Sequence, residues 1–259
     1  MINIKNIFSL KKKIIYVLGG SGLIGKEIVD GASQLGAKIV VIDIEHRLKF
    51  KNKDSNNIKF EKLDISNIKN LKKNFDKIIK NNGIPNSFIN CSYPKSKDWN
   101  KNSYKHVKIE SFRKNIDLHL NTYIWIAKII ADKMIKNKSG SIIQLSSIYG
   151  NLGQDPTLYE GTKMSESMTY TAIKGGIINS VKSMAAYYGK YNIRINALSP
   201  GGVFDNQNPK FVKRYLKKTP LNRMAKPKDI AAAAIFLSSD ASTYITGTNF
   251  LVDGGWSCI

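Results

Sequence analysis

The run Ile14-Ile15-Tyr16-Val17-Leu18, followed at once by Gly19-Gly20-Ser21-Gly22-Leu23-Ile24-Gly25, constrains the fold more than any other stretch of the chain. Five apolar residues without polar alternation predict a strand buried on both faces, as in a parallel sheet. After the glycines, Ile28, Val29, Ala32 and Leu35 recur at helical spacing. Strand, glycine loop and helix make a phosphate-binding arrangement. Glycines let the backbone turn tightly and approach a pyrophosphate, while unpaired N–H groups at the helix start meet its charge.

The pattern then repeats. A second strand over 38–42 ends at Asp43, eighteen residues past Gly25. At that place a carboxylate accepts hydrogen bonds from adenosine ribose hydroxyls and repels a 2′-phosphate, which favours NAD over NADP. Lys26, Arg47 and Lys49 keep NADP open, and Asp43 has a simpler alternative role as a strand-end cap. Residues 45–57 read as a polar surface loop with some helix, and 58–63 as a strand ending at Asp64. Ser66 is expected to cap a helix carrying Ile68, Leu71, Phe75, Ile78 and Ile79. Further strands are expected over 86–89, 141–145, 193–198 and 249–252. Between them the pattern predicts one continuous helix over 109–136, a helix from Tyr170 to Gly189, and a helix over 227–237 opening on Pro227. Residues 95–106 form a polar rim or long loop around Trp99 and Tyr104. Residues 151–168 carry few apolar anchors and read as an excursion over the carboxyl edge of the sheet; 203–219 read as a mobile flap. The expectation is an α/β fold: a single Rossmann-type doubly wound parallel sheet of about seven strands, helices on both faces, spanning 1–259.

Within that frame Tyr170-Thr-Ala-Ile-Lys174 places a phenol and an ammonium one helical turn apart on one face. A phenol near pKa 10 exchanges protons poorly at neutral pH unless a positive charge stabilises its anion. One ammonium at about 4 Å and an effective dielectric of roughly 20 is worth about 4 kcal/mol, nearly three pKa units at most. Tyr159 and Lys163 have the same spacing, so spacing alone does not choose. The helical stripe Ala172, Ile173, Ile177, Val181, Met184, Ala185 and Tyr188 follows Tyr170, whereas no such stripe follows Tyr159.

Composition limits the partners. The net charge of +22 raises a nucleic-acid or membrane-surface reading. The charge is almost all lysine, with arginine only at 47, 113, 194, 214 and 223, accompanied throughout by Asn and Ile. A nucleic-acid groove more often clusters Arg with aromatics, so a solvated lysine surface is expected, with no nucleic-acid or membrane partner. Cys91 and Cys258 are too few for a disulfide framework, which points to a reducing cytoplasm. Lys11 to Lys13 before an apolar run resembles a signal-peptide start, but the run breaks after five residues and reads as a strand. No metal-ligand spacing appears.

The glycine loop, Asp43, Asp64, Asn90, Ser147, Tyr170, Lys174, Pro200-Gly201 and Asp253-Gly254-Gly255 occur in the order of the short-chain dehydrogenase/reductase family, which the chain resembles over essentially its whole length. Pro200 lies thirty residues beyond Tyr170, the spacing expected in that family, so the resemblance selects Tyr170 over Tyr159. It implies that Ser147 orients the substrate oxygen, Tyr170 moves the proton, and Lys174 lowers the Tyr170 pKa while bonding the nicotinamide ribose. Ser147, three residues before Gly150, is chosen over Ser146. The cofactor, NAD in preference to NADP, would be held by Gly19, Ser21, Gly22, Leu23, Ile24, Gly25, Asp43, Asp64, Ile65, Asn90, Tyr170, Lys174, Pro200, Gly201 and Val203. The resemblance also implies a homodimer or homotetramer.

Three departures stand out. The loop reads Gly-x-x-Gly-x-x-Gly, a spacing more usual in a longer-chain branch. His119 falls where many members carry a catalytic Asn; it is a candidate holder of a proton-relay water, or else a core histidine. The interval from Ser147 to Tyr170 is about ten residues longer than usual, making 151–168 an insertion beside the substrate. Tyr93, Glu160, Lys163 and Glu166 are then candidate substrate contacts. Local strings such as Tyr93-Pro94-Lys95, Leu118-His119-Leu120 and Ser199-Pro200-Gly201-Gly202-Val203 resemble a subgroup associated with flagellin modification and legionaminic or related nonulosonic acids. The function implied is hydride transfer between a nicotinamide and a hydroxyl or carbonyl of a sugar-derived substrate. A generic 3-ketoacyl or secondary-alcohol reductase is the alternative, and a cofactor-binding sensor or basic nucleic-acid binder is the non-enzyme alternative.

Overall fold

A computed structural model describes residues 3–47 and 57–259. Seven strands, β1 (Ile14–Leu18), β2 (Lys38–Asp43), β3 (Ile58–Lys62), β4 (Ser87–Asn90), β5 (Gly140–Leu145), β6 (Ile193–Pro200) and β7 (Asn249–Val252), form one sheet in the order β3-β2-β1-β4-β5-β6-β7. All six pairings are parallel. From β1 the chain winds outward to β3, then crosses back to lay β4 on the other side of β1. Leu18 is thereby in register with both Ile42 and Asn90. Strand order reverses there, and the diverging loops leave a crevice at the carboxyl ends, where open α/β sheets take ligands.

Side-chain alternation splits the core. Tyr16, Leu18, Val40, Ile42, Phe88, Ile142 and Ile195 face one side, with α3 (Leu71–Asn82), α5 (Thr122–Met134) and α6 (Met168–Tyr188). Ile15, Val17, Ile39, Val41, Ile89 and Ile143 face the other, with α2 (Gly25–Gln34) and α8 (Pro227–Ser238). Both faces being covered explains the unbroken apolar runs, each buried Ile or Val contributing about 1.5–3 kcal/mol. The remaining helices are α1 (Ile4–Phe8), α4 (Ile109–Asn115) and α7 (Pro209–Lys217).

Local expectations need correction in three places. The continuous helix over 109–136 is broken, because a π-helical segment, Ile116–Asn121, separates α4 from α5. Thr122 supports it by donating its hydroxyl to the carbonyls of Leu118 at 2.7 Å and His119 at 3.0 Å. Ser66 does not cap a helix. Its N–H bonds the Asp64 carboxylate at 2.8 Å, and a short turn, Ile68–Asn70, leads into α3. Within 203–219 the chain forms α7, with Phe211 and Tyr215 buried. The expected loop over 45–57 falls largely outside the described residues, as does Lys49.

Candidate active site

A cavity of about 990 Å³ runs along the carboxyl edge of the sheet. One half is built for a dinucleotide. Gly19 has φ +77°, and a Cβ there would lie 2.6 Å from the Ser92 nitrogen; a Cβ on Gly25 would meet the Gly19 carbonyl at 2.2 Å. Only glycine permits this turn and this approach of loop to helix. Asp43 anchors the loop: one carboxylate oxygen accepts the Ser21 N–H at 3.0 Å and the other the Ile44 N–H at 2.8 Å. It therefore fills the strand-end role and still lines the cavity with Gly19, Gly22, Leu23, Ile24, Gly25, Asp64 and Ile65. Pro200 at the end of β6, with Gly201 and Val203 just beyond it, also lines the cavity. Ser21 and Asn90 stand behind the lining. Asn90 Oδ1 accepts from the Ser92 hydroxyl at 2.7 Å, while its buried Nδ2 has no partner among the described residues. A glycine cradle no side chain could enter, a carboxylate at the end of β2 and a spare buried amide donor fit a nicotinamide dinucleotide.

Ser147, Tyr170 and Lys174 converge on the same cavity. The two serines divide their duties: Ser146 donates to the Lys174 carbonyl at 2.8 Å, whereas Ser147 accepts the Tyr149 N–H at 3.2 Å and acts on the Tyr170 phenol. Ser167 begins α6 by accepting the Tyr170 N–H on its hydroxyl at 3.2 Å. Burial raises the Tyr170 pKa above the ordinary phenol value, and the Ser147 hydrogen bond pulls the other way. Burial also pushes Lys174 down to about 7. In this geometry desolvation outweighs every other influence on both groups. Lys174 is 3% exposed and ringed by aromatics, its Nζ 5.6 Å from the Tyr170 ring centre and 5.4 Å from that of Tyr123.

His119 is brought to this cluster by the π-segment. Its Nε2 lies 3.4 Å from Lys174 Nζ, which also donates to the Leu145 carbonyl at 3.0 Å. Burial first, then the Lys174 charge, hold the imidazole pKa well below its usual value, so it is neutral. His119 is fully buried and stands behind the cavity lining.

At the substrate end, Tyr93 lines the cavity as expected; Glu160, Lys163 and Glu166 do not. Glu160 and Lys163 are exposed and Glu166 is half-buried. A charged side chain keeps its hydration at the rim unless paired, and the insertion lines the cavity with uncharged residues: Gln154, Tyr159, Met164, Ser165 and Ser167. Trp99, Tyr149, Gln207 and Phe211 complete the wall. Nothing local in the sequence marks Tyr149 or Tyr159 as facing the substrate. The rim over 95–106 is more than a loop. Asn102 accepts the Thr169 hydroxyl at 2.5 Å and Asn115 donates to the Ser96 hydroxyl at 2.7 Å, tying the rim to α4 and α6.

Comparison with known proteins agrees with this geometry. Residues 21–257 match the family profile described as Enoyl-(Acyl carrier protein) reductase. The chain is 34% identical over 253 residues to post-translational flagellin modification protein A of Campylobacter coli, covering 95% of this chain and 99% of that one. It is 30% identical over 266 residues to L-rhamnose-1-dehydrogenase of Scheffersomyces stipitis, covering 95% and 96% respectively. The crystal structure of a short chain dehydrogenase from Leptospira borgpetersenii with bound NAD+ superposes with a TM-score of 0.87 at 31% identity, covering 99% of this chain and 96% of that one.

Proposed function

The chain belongs to the short-chain dehydrogenase/reductase family, NAD(P)-dependent oxidoreductases of hydroxyl and carbonyl groups, and from that premise we propose that it acts on a sugar or sugar-derived substrate with NAD as its preferred cofactor. The observation that carries the reading is the convergence of Ser147, Tyr170 and Lys174 on a cavity continuous with the glycine loop. A bound nicotinamide supplies or takes up the hydride. Tyr170, kept protonated at neutral pH by burial, donates a proton to the substrate oxygen during reduction and recovers it in the reverse direction. Ser147 hydrogen-bonds the same oxygen and fixes its position. Lys174, held by the Leu145 carbonyl and His119, stands beside the phenol to balance the charge it develops. Asp43 at the end of β2 favours an unphosphorylated ribose.

Similarity to the flagellin modification protein and the rhamnose dehydrogenase supports the sugar reading and a role in glycan biosynthesis. The second reading, reduction of a 3-ketoacyl thioester, is favoured by similarity to 3-oxoacyl-(acyl-carrier-protein) reductases. Turnover with NAD and NADP across neutral sugars, amino sugars, sugar phosphates, nucleotide sugars and an acetoacetyl thioester separates them. Activity confined to the thioester would discard the sugar reading.

Among the described residues no helix is long and apolar enough to cross a membrane. We place the protein in the cytoplasm, consistent with its free Cys91 and Cys258. Exposed Trp125 on α5 and Tyr187 on α6 support assembly through these helices into a homodimer or homotetramer, which light scattering during gel filtration would test.

A further inference from the structure

Three polar side chains at the substrate end take no part in the proton chemistry: Tyr149, Gln154 and Tyr159, all lining the cavity. Gln154 is held at both ends of its amide. Its Oε1 accepts the Ser167 N–H at 2.8 Å, which turns Nε2 toward the Tyr159 hydroxyl, 3.0 Å away. An amide nitrogen only donates, so the Tyr159 oxygen accepts here and its own proton is free for another acceptor. The Tyr159 ring is fixed by stacking on Phe211 at 5.5 Å, and the Tyr149 ring stands edge-on to Trp256 at 5.8 Å. The buried Tyr149 hydroxyl makes no close hydrogen bond among the described residues and leans toward the oxygen of Tyr159, which leaves its own lone pairs unused. Burial raises both phenols above the ordinary range, so both are neutral O–H donors at any physiological pH.

Two rigid phenols with unspent hydrogen-bonding capacity thus stand beside the catalytic serine and tyrosine. Buried capacity of this kind is costly to leave unmet. Its chemistry selects the ligand. The cations lining the cavity are Lys174, committed to His119 and Leu145, and Lys95, exposed at the mouth. Arg214 and Lys218, the cations nearest Tyr149 and Tyr159, do not line the cavity and are engaged by backbone carbonyls and Asp155, so an anionic group there would find no free countercharge, whereas an alcohol, which both donates and accepts, matches a phenol and an amide. Trp99, Tyr93 and Phe211 supply aromatic faces for the C–H side of a ring.

We propose that Tyr149, Gln154 and Tyr159 form a subsite that recognises a second hydroxyl of the substrate, away from the reacting carbon, and so selects polyhydroxylated compounds. This rests on the sugar reading above and assigns the insertion its purpose: Gln154 presents Tyr159 to the substrate while gripping Ser167, the residue that begins the helix of Tyr170.

The test compares kcat/KM for L-rhamnose, L-fucose, D-arabinitol and glucosamine with that for cyclohexanol, a ring alcohol without a second hydroxyl, in wild type, Tyr149→Phe and Tyr159→Phe. Wild type is expected to prefer at least one polyhydroxylated compound by about a hundredfold, and each variant to compress that preference about tenfold, chiefly through KM, as removal of one neutral hydrogen bond does. If a sugar is turned over and both variants keep the wild-type preference, the subsite is wrong while the sugar reading stands. If neither these compounds nor the sugar phosphates and nucleotide sugars of the wider panel are preferred over cyclohexanol, the sugar reading falls and takes the subsite with it.

Discussion

Lys174 Nζ lies 3.4 Å from His119 Nε2, although the two residues belong to different helices and 55 positions separate them. When Lys174 is protonated, the neutral imidazole accepts from its ammonium, so His119 directs one of three donors; the Leu145 carbonyl takes another at 3.0 Å, and the third is left for the cavity. His119 positions Lys174 without reaching the cavity itself. Replacing it with Phe keeps the volume and removes the acceptor, and kcat is expected to fall roughly tenfold to a hundredfold, the effect of losing one charge-assisted hydrogen bond. His119→Asn, which restores a side-chain acceptor from the same π-segment, should recover much of that loss. Equal loss in both would reduce His119 to a packing residue.

Tyr170→Phe should lower kcat by about 10²–10⁴ or more, since the proton path is lost, while NAD binding measured by calorimetry persists. Because burial raises the phenol pKa, the base form needed for oxidation is scarce at pH 7 and grows tenfold per pH unit. Oxidative kcat/KM should therefore climb from pH 7 to 10 with a slope near one, while the reductive rate, which needs the protonated phenol, stays flat over the same range. An oxidative plateau beginning below pH 8 would mean that Lys174 controls the phenol after all.

Lys174 costs stability. Its pKa falls from 10.5 unfolded to about 7 folded, so between those values the unfolded chain holds a proton that the folded chain does not. Stability then rises with pH across that window, by at most about 1.4 kcal/mol per unit, and the penalty is complete below about pH 7. Lys174→Met should abolish turnover yet flatten the urea-unfolding free energy between pH 7.5 and 10, with its largest gain over wild type at the acidic end. A wild-type curve already flat in this window would overturn the assignment.

The parts of the site that were legible in the sequence have local causes. The glycine loop is forced by sterics within seven residues, and Tyr170 is chosen by the apolar stripe behind it, the family resemblance adding its distance to Pro200. What escaped depends on contacts distant in sequence. The π-segment shifts the helical register by one residue, which an apolar stripe of this length absorbs without trace. Asn102, Ser111 and Asn115 are polar yet buried because they satisfy one another, Asn102 donating to the Ser111 hydroxyl at 3.1 Å and Asn115 to the Ser111 carbonyl at 2.9 Å, and no local pattern announces such a pairing. In the insertion, charge drew attention to Glu160, Lys163 and Glu166, yet the charged groups are the ones that keep their water.

Asp43 joins cofactor choice to loop geometry. Its carboxylate holds the Ser21 N–H at 3.0 Å, a charge-assisted bond worth about 1.5–3 kcal/mol. Asp43→Asn keeps a weaker acceptor and relieves the repulsion of a 2′-phosphate. The NAD KM should rise about tenfold and the NAD-over-NADP ratio should shrink further still. An unchanged ratio would leave Asp43 as a loop anchor alone.

The insertion is fastened to α7 by two kinds of contact, and their magnitudes differ. Asp155 pairs with Lys218 at 2.6 Å, and Arg214 donates to the carbonyl of Glu160. The Asp155 pKa is lowered to about 2, first by Lys218 and then by Thr157, so this support is present above about pH 4 and lost as pH falls through 2. Both partners are substantially solvated, with side chains 23% and 46% exposed, and such pairs contribute about 0–1 kcal/mol. Beneath them Tyr159 stacks on Phe211 within a buried cluster that includes Leu158, Tyr215 and Trp256. Removing a buried Phe side chain costs about 3–5 kcal/mol. The aromatic stack therefore holds the substrate wall, and the ion pair decorates it. Asp155→Asn should leave substrate KM and melting temperature nearly unchanged at pH 7, whereas Phe211→Ala should lower the melting temperature by several degrees and raise substrate KM as Tyr159 loses its support. Because α7 and the insertion meet away from the glycine loop, NAD affinity in Phe211→Ala should hold; a parallel loss of NAD binding would mean the cluster supports the whole cavity and not its substrate end alone.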